Sequence, residues 1–72
     1  MAITTNTAQE KRFIRLPRVR ELTTLPTSAI YAAIAAGTFP KQVKIGERAV
    51  AWLESDVIAW IDERVAESVE GA

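Results

Sequence analysis

The feature that most constrains the fold is a change of sequence pattern at Gly37–Pro40. Before it, residues 27–36 are rich in alanine and suit a helix. Gly37 suits the left-handed conformation that ends many helices, and Pro40 prevents the helix from resuming. After it, residues 41–45 alternate between two sides, as in a strand. A helix that stops here and is followed by a hairpin predicts a small, mainly α domain with one β-hairpin.

Two short helices are predicted before this point. An extended segment, Phe13–Leu16, precedes Pro17, whose fixed φ and missing N–H suit the first turn of a helix. This first helix is predicted to end near Thr23. The second is predicted over Thr24–Gly37, with Thr24 as its N-cap, and such a pair is typical of a helix-turn-helix. The residues expected to face the core are Leu16, Val19 and Leu22 in the first helix, and Ile30, Ala33, Ile34 and Gly37 in the second.

The alternating segment predicts a two-stranded hairpin. Gly46-Glu47 is predicted to form a two-residue turn in which glycine supplies a positive φ. This turn would pair Val43 with Val50 and Lys41 with Trp52. A three-residue loop would shift the register by one residue and exchange the two faces, so both registers stay open at this point. Such a ribbon needs a helix to pack against.

Ser55–Glu67 is predicted to be that helix. Ser55 is a suitable N-cap, and the Asp56 carboxylate favours the positive end of the helix dipole. Trp52 and Trp60 are expected in the core, where aromatic rings contribute most in a small domain. The predicted apolar stripe of the helix consists of Val57, Trp60, Ile61 and Val65.

The order helix, helix, hairpin, helix predicts a winged helix-turn-helix over residues 13–66. Residues 1–12 are expected to form a flexible arm because they lack apolar periodicity, and residues 67–72 an acidic tail. The 72-residue chain has no Cys and no His, which removes disulfides and the usual zinc ligands, so no cofactor is expected. No apolar run approaches the roughly 20 residues that span a bilayer. We therefore expect no membrane contact and a cytoplasmic location.

The net charge of zero conceals two oppositely charged poles. Residues 11–48 contain eight cations and two acids, a net charge of +6. Residues 49–72 contain one cation and six acids, a net charge of −5. A basic pole attracts phosphate while an acidic pole repels it, which would orient the protein on a nucleic acid. The alternative is a charge pattern that serves solubility alone.

A set of short motifs is spread over residues 15–64. They are Leu-Pro-Arg-Val at 16–19, Ser-Ala-Ile-Tyr at 28–31, Gly-Thr-Phe-Pro-Lys at 37–41, Lys-Ile-Gly-Glu-Arg at 44–48, Ala-Val-Ala-Trp at 49–52, and Ser-Asp-Val-Ile-Ala-Trp at 55–60. In this combination they resemble the AlpA family of small prophage regulators, relatives of the phage excisionases and, more distantly, of the MerR-type winged domains. The resemblance implies a winged helix-turn-helix that binds double-stranded DNA, either to regulate transcription or to direct an integrase toward excision.

Candidate DNA contacts lie on three parts of the predicted fold: the first helix, the start of the second helix, and the hairpin wing. Basic side chains supply much of the affinity for DNA, although lysines also protect an exposed hairpin from aggregation. The second helix departs from the family pattern because small alanines replace long polar residues. Helix propensity explains these alanines most simply, and the functional alternative is a close approach to the groove in which a methyl group meets a thymine methyl. The candidate DNA-binding residues are Arg18, Arg20, Thr27, Ser28, Tyr31, Ala32, Lys41, Lys44 and Arg48.

An enzyme is the least expected class of function. Without His or Cys, catalysis would need paired carboxylates or an activated Lys or Ser in a pocket. The main alternative to DNA binding is a protein-interaction module that binds an integrase or another regulator. We also expect a monomer that binds tandem DNA sites cooperatively, with the acidic helix around Asp62, Glu63 and Glu67 meeting the basic first helix of the neighbouring copy.

Overall fold

The structure, a computed structural model, describes residues 11–71, with side chains described as far as Val69. Most of the predicted arm, residues 1–10, therefore lies outside the described residues. The elements in chain order are β1 (Phe13–Ile14), α1 (Leu16–Thr23), α2 (Thr27–Ala36), β2 (Val43–Gly46), β3 (Ala49–Leu53) and α3 (Glu54–Gly71). This order confirms the predicted winged helix-turn-helix, in which β2 and β3 form the wing.

The helices pack against the face of the sheet that bears Ile14 and Trp52. The fully buried side chains of Trp52, Ile30, Val19 and Val57 form the centre of the core, and Ile14 and Phe39 complete it. The predicted core faces of α1 and α2 are confirmed except at Gly37, which is exposed. On α3, Val57, Trp60 and Ile61 belong to the core or pack against it, whereas Val65 is 55% exposed.

The turn between α1 and α2 corrects the predicted start of the second helix. Thr24 is the C-cap of α1, in the left-handed region at φ 62°, and its N–H donates to the carbonyl of Arg20 at 2.7 Å. The N-cap of α2 is Pro26. A residue that precedes proline avoids helical φ and ψ, so Leu25 cannot continue a helix from Thr24. The predicted N-cap at Thr24 is therefore wrong.

Gly37 ends α2 in the predicted left-handed conformation, at φ 81°. The N–H of Thr38 donates to the carbonyl of Ala33 at 2.9 Å, and that of Gly37 to Ile34 at 3.0 Å. These two bonds form a Schellman motif, which satisfies carbonyls that the helix leaves free.

We expect Gly37→Ala to destabilise the fold by about 1 kcal/mol, through backbone conformation alone. A Cβ at Gly37 would meet no atom within 4 Å, so the cost comes from the positive φ. Thermal unfolding should show a midpoint lower by roughly 4–8 °C. Gly46→Ala is the control, because its φ is not positive and its Cβ would lie 3.6 Å from the Ala49 Cβ. Equal losses at both glycines would contradict this account.

The hairpin register differs from the predicted one. The turn lies at Glu47–Arg48, and Gly46 pairs with Ala49. Val43 pairs with Ala51 and Lys44 with Val50, with an irregularity between Lys44 and Gly46. The predicted Gly46-Glu47 turn is therefore wrong, as are the two predicted pairs. One extra residue on β2, Ile45, accommodates the shift as a β-bulge would. This register places Val43 and Ala51 on the face opposite Val50 and Trp52.

Within residues 11–71 the sheet has three strands, not the predicted two. The extended segment β1 pairs antiparallel with β3, joining Phe13 to Leu53 and Ile14 to Trp52. The Glu54 N–H then donates to the Arg12 carbonyl at 2.8 Å. Because β1 covers one side of β3, the central strand is β3 and the exposed edge is β2.

The last helix is longer than predicted. It begins at Glu54, immediately after β3, so Ser55 lies in its first turn and is not its N-cap. Glu54 and Asp56 place two carboxylates at the positive end of the helix dipole. Residues 67–71, predicted as part of an acidic tail, continue the same helix.

Candidate nucleic-acid interface

The outward face of α2 consists of small side chains. Ser28, Ala32, Ala35 and Ala36 are exposed, and Thr27 is partly exposed, whereas Ile30 is fully buried. These exposed residues lie away from the predicted core residues Ile30, Ala33 and Ile34. Short side chains let a helix backbone approach a groove closely, and they offer methyl and hydroxyl groups in place of long donors.

Tyr31 is held at the edge of this face by the core. Its ring meets that of Trp52 edge to face, with centroids 6.2 Å apart and planes at 62°. The Trp52 Nε1–H in turn donates to the Pro40 carbonyl at 3.1 Å. Tyr31 nevertheless remains 38% exposed. The orientation of α2 is thus coupled through Trp52 to the connector that leads into the wing.

Arg20 lies beside the helix-turn-helix turn. With Pro17, Thr24 and Pro26 it lines an open cleft of about 460 Å³. The first carbonyl to accept within α2 is that of Pro26, which receives the N–H groups of Ala29 and Ile30 at 3.1 Å each. The N–H groups of Thr27 and Ser28, which precede them, belong to the positive end of the helix, where anions bind favourably. A guanidinium and a helix start are therefore brought together at the turn.

Arg18 is not part of that arrangement. Two residues along a helix turn a side chain by about 200°, so Arg18 and Arg20 leave α1 on nearly opposite sides. The Arg18 Nη1 donates to Glu21 Oε1 at 3.1 Å, in an exposed pair. This separation follows from helical spacing alone, but the list of candidate DNA contacts predicted from the sequence did not take it into account.

The wing presents three cations. Lys41 lies in the connector, Lys44 on β2 and Arg48 in the turn, and all are exposed. Within residues 11–69, none of the three forms an ion pair. Glu47 is the acidic side chain at the tip. Cations without carboxylate partners are available to phosphate.

Within residues 11–69, most cations of the basic pole form no ion pair with the acids of α3. Among the described ion pairs, that of Arg12 Nε with Glu54 Oε1, at 3.8 Å, joins the two poles. The Arg64 Nη2 donates to Glu67 Oε2 at 2.9 Å, within α3 itself. Direct ion pairing between the two oppositely charged regions is thus slight within residues 11–69.

Residues 11–71 contain no group of three or more acidic, His or Cys side chains that could hold a metal ion. Across the same part of the chain, no helix is both long enough and apolar enough to cross a bilayer.

Three helices, a three-stranded antiparallel sheet and an exposed basic hairpin define a winged helix-turn-helix protein. The model of the family described as "Prophage CP4-57 regulatory protein (AlpA)" matches residues 12–65. The chain belongs to this AlpA family of prophage regulatory proteins, which confirms the resemblance found in its motifs.

Two similar proteins come from a phage and a bacterium. The chain is 47% identical over 57 residues to uncharacterized protein ORF88 of enterobacteria phage P4, covering 79% of this chain but 65% of that protein. It is 29% identical over 65 residues to the DNA-binding transcriptional activator AlpA of Escherichia coli K12, covering 82% of this chain and 93% of that protein. The chain therefore spans slightly less than two thirds of the phage relative.

Proposed function

We propose that this protein is a DNA-binding transcriptional regulator of a prophage or mobile element. In this proposal α2 enters the major groove and the wing lies on the flanking phosphate backbone. The observation that supports it most is the set of exposed wing cations without ion pairs within residues 11–69. The name of the Escherichia coli relative describes that protein as a DNA-binding activator. In this proposal the protein acts in the cytoplasm, on the DNA of its bacterial host.

The proposed contacts divide into those that position the protein and those that read bases. Arg20 and the wing cations bind phosphates, with Arg18 more remote because of its pairing with Glu21. Thr27, Ser28 and Tyr31 supply hydroxyl groups, and the Ala32 methyl meets a thymine methyl. Since no long donor projects from the exposed face of α2, DNA shape contributes to sequence preference.

The salt dependence of binding tests this function. If Arg20 and the three wing cations neutralise about four phosphates, a plot of log affinity against log salt should have a slope of about −3.6. Fluorescence anisotropy with duplexes from the DNA that flanks the coding region measures this slope. An affinity that is unchanged between low and moderate salt would rule out phosphate binding by the basic pole, and would favour the alternative of a module that binds an integrase or another regulator.

The same binding can serve transcription or excision, and the position of the sites separates the two roles. We propose transcriptional control as the main role, because the Escherichia coli relative is named for it. Footprints over a promoter are the expected result. Footprints confined to a recombination site would instead indicate an excisionase that acts with an integrase.

A further inference from the structure

A groove with aromatic walls lies between α3 and the connector that follows α2. It has a volume of about 550 Å³. The rings of Phe39 and Trp60 meet edge to face in it, with centroids 5.0 Å apart and planes at 66°. The Trp60 Nε1–H donates to the Thr38 carbonyl at 2.8 Å, which fixes the indole. This groove is separate from the wing cations and from the cleft at Arg20.

One edge of the groove is acidic. Asp56 and Glu63 line it together with Trp60. On α3 these residues, with Glu67, lie at spacings of four, three and four, which places all of them along one side of the helix. Asp56 forms no ion pair within residues 11–69. Such an edge repels phosphate, so the natural ligand of this groove is a cation and not DNA.

The groove already binds one guanidinium. The Arg64 Cζ lies 5.2 Å from the centroid of the Trp60 ring, and the Arg64 Nη2 bonds to Glu67. A longer contact from the same nitrogen to Glu63, at 3.9 Å, adds a weak second ion pair. A cation over an indole with carboxylates at its rim is a favourable arrangement for arginine. The intramolecular contact shows the chemistry that a second arginine would meet.

The chain itself presents arginines suited to this groove. Arg15, the N-cap residue of α1, and Arg18 leave that helix about 60° apart, on the side away from Arg20. Both are exposed, and Arg15 forms no ion pair within residues 11–69. A copy that places its acidic α3 against the basic α1 of the next would join the net −5 region of one to the net +6 region of the other. Such a head-to-tail contact repeats without closing, as a row of copies along DNA requires.

We propose that the groove formed by Phe39, Trp60, Asp56 and Glu63 binds Arg15 and Arg18 of α1 from a neighbouring copy on DNA. This inference rests on the proposed function, because DNA supplies the alignment and the high local concentration of copies. Glu63 and Glu67 lie on the groove side of α3. Asp62 is not part of the groove lining, so the surface is narrower than the acidic helix predicted from sequence.

Binding to DNA with one site and with two adjacent sites tests the contact. We expect the second site to fill about ten-fold more tightly than a single site, and Glu63→Arg to abolish that enhancement. Asp62→Arg is the matched control, since it makes the same charge change one residue away and outside the groove lining, and it should retain the enhancement. Loss of the enhancement in both variants, or in neither, would overturn the proposal.

A charge-swap experiment distinguishes a direct contact between Arg15 and Glu63 from an effect of the substitutions on folding. Arg15→Glu should also lose the ten-fold enhancement, and the double variant Arg15→Glu with Glu63→Arg should recover most of it. A double variant as defective as either single one would count against the pairing. The ratio between tandem and single sites is the readout, so a change of single-site affinity does not affect it.

A measurement without DNA distinguishes failure of this proposal from failure of the proposed function. In a concentration series of the full chain at low salt, NMR signals of the Trp60 indole N–H and of the backbone amide at position 63 should shift for wild type and remain fixed for Glu63→Arg. These shifts are expected even if DNA binding is absent. Normal single-site binding with no enhancement and no shifts would refute the groove contact alone.

Discussion

Replacing Trp52 with alanine is expected to unfold the domain. Its side chain is fully buried, its ring packs against Tyr31, and its Nε1–H bonds to the Pro40 carbonyl. Loss of a buried tryptophan costs about 3–5 kcal/mol. A domain of this size has a total stability of roughly 4–11 kcal/mol, and the small surface that so short a chain buries places it toward the lower end, so most of it would be lost. Circular dichroism during urea unfolding should show little or no cooperative transition for Trp52→Ala.

Two further variants define the origin of that loss. Trp52→Phe retains a large ring but removes the bond to Pro40, and it should cost less than the alanine variant. Val69→Ala, at a side chain that is 71% exposed, should change the stability by less than about 0.5 kcal/mol. A cooperative transition for Trp52→Ala at the wild-type midpoint would show that the core is not centred on this residue.

Removing the three wing cations together, as Lys41→Ala, Lys44→Ala and Arg48→Ala, is expected to have the largest effect on DNA binding. Each lost phosphate contact reduces the salt slope by about 0.9, so the slope should fall by about 2.7. If wild type and variant bind equally at 1 M salt, this difference in slope corresponds to an affinity loss on the order of several hundred-fold at about 0.1 M salt. Anisotropy titrations at several salt concentrations measure both quantities.

Ala32→Ser is the control for the recognition helix. Ala32 is exposed on α2. The added serine hydroxyl can neither form a bidentate contact with a base edge nor neutralise a phosphate. We expect its affinity to stay within about three-fold of wild type, since one surface hydroxyl contributes little. If Ala32→Ser were the weaker binder and the triple wing variant bound normally, DNA would lie on α2 alone.

Local constraints made part of this fold predictable. Gly37 ends α2 as expected because few other residues tolerate a φ of 81°. Pro17 lies in the first turn of α1 because proline is suited to little else within a helix. Trp52 is buried because a small domain has few other side chains large enough to fill its centre. In each case one residue type determines the outcome without reference to distant parts of the chain.

The error in the hairpin register arises where a distant contact decides, and that at Thr24 where a nearby proline does. The hairpin register depends on which face of β3 meets the core, and that face is fixed by the pairing of Ile14 with Trp52 across the sheet. Nothing in a two-residue strand signals its partner 40 residues away. Thr24 was misassigned because threonine is a common N-cap, whereas Pro26 sets the start of α2.

The candidate site was predictable as a set of exposed residues but not as an arrangement. The outward face of α2 followed from helical spacing. The grouping of Arg20 with the start of α2 depends on the turn, and the groove at Trp60 depends on the connector that contains Phe39. Helical spacing does place Asp56, Trp60 and Glu63 on one side of a helix. The opposite wall of the groove, which includes Phe39, is seen only in the folded chain.

The open edge of β2 gives the wing cations a role in solubility that does not depend on DNA binding. The strand order β1-β3-β2 leaves β2 unpaired on one side within residues 11–71, and Val43 and Ile45 are 37% and 43% exposed there. Lys44 and Arg48 therefore protect this edge independently of the proposed DNA binding, since charges at an open strand edge oppose pairing between molecules. A lineage that ceased to bind DNA would still be selected to keep cations on the wing, so their retention in a relative is weak evidence that the relative binds DNA.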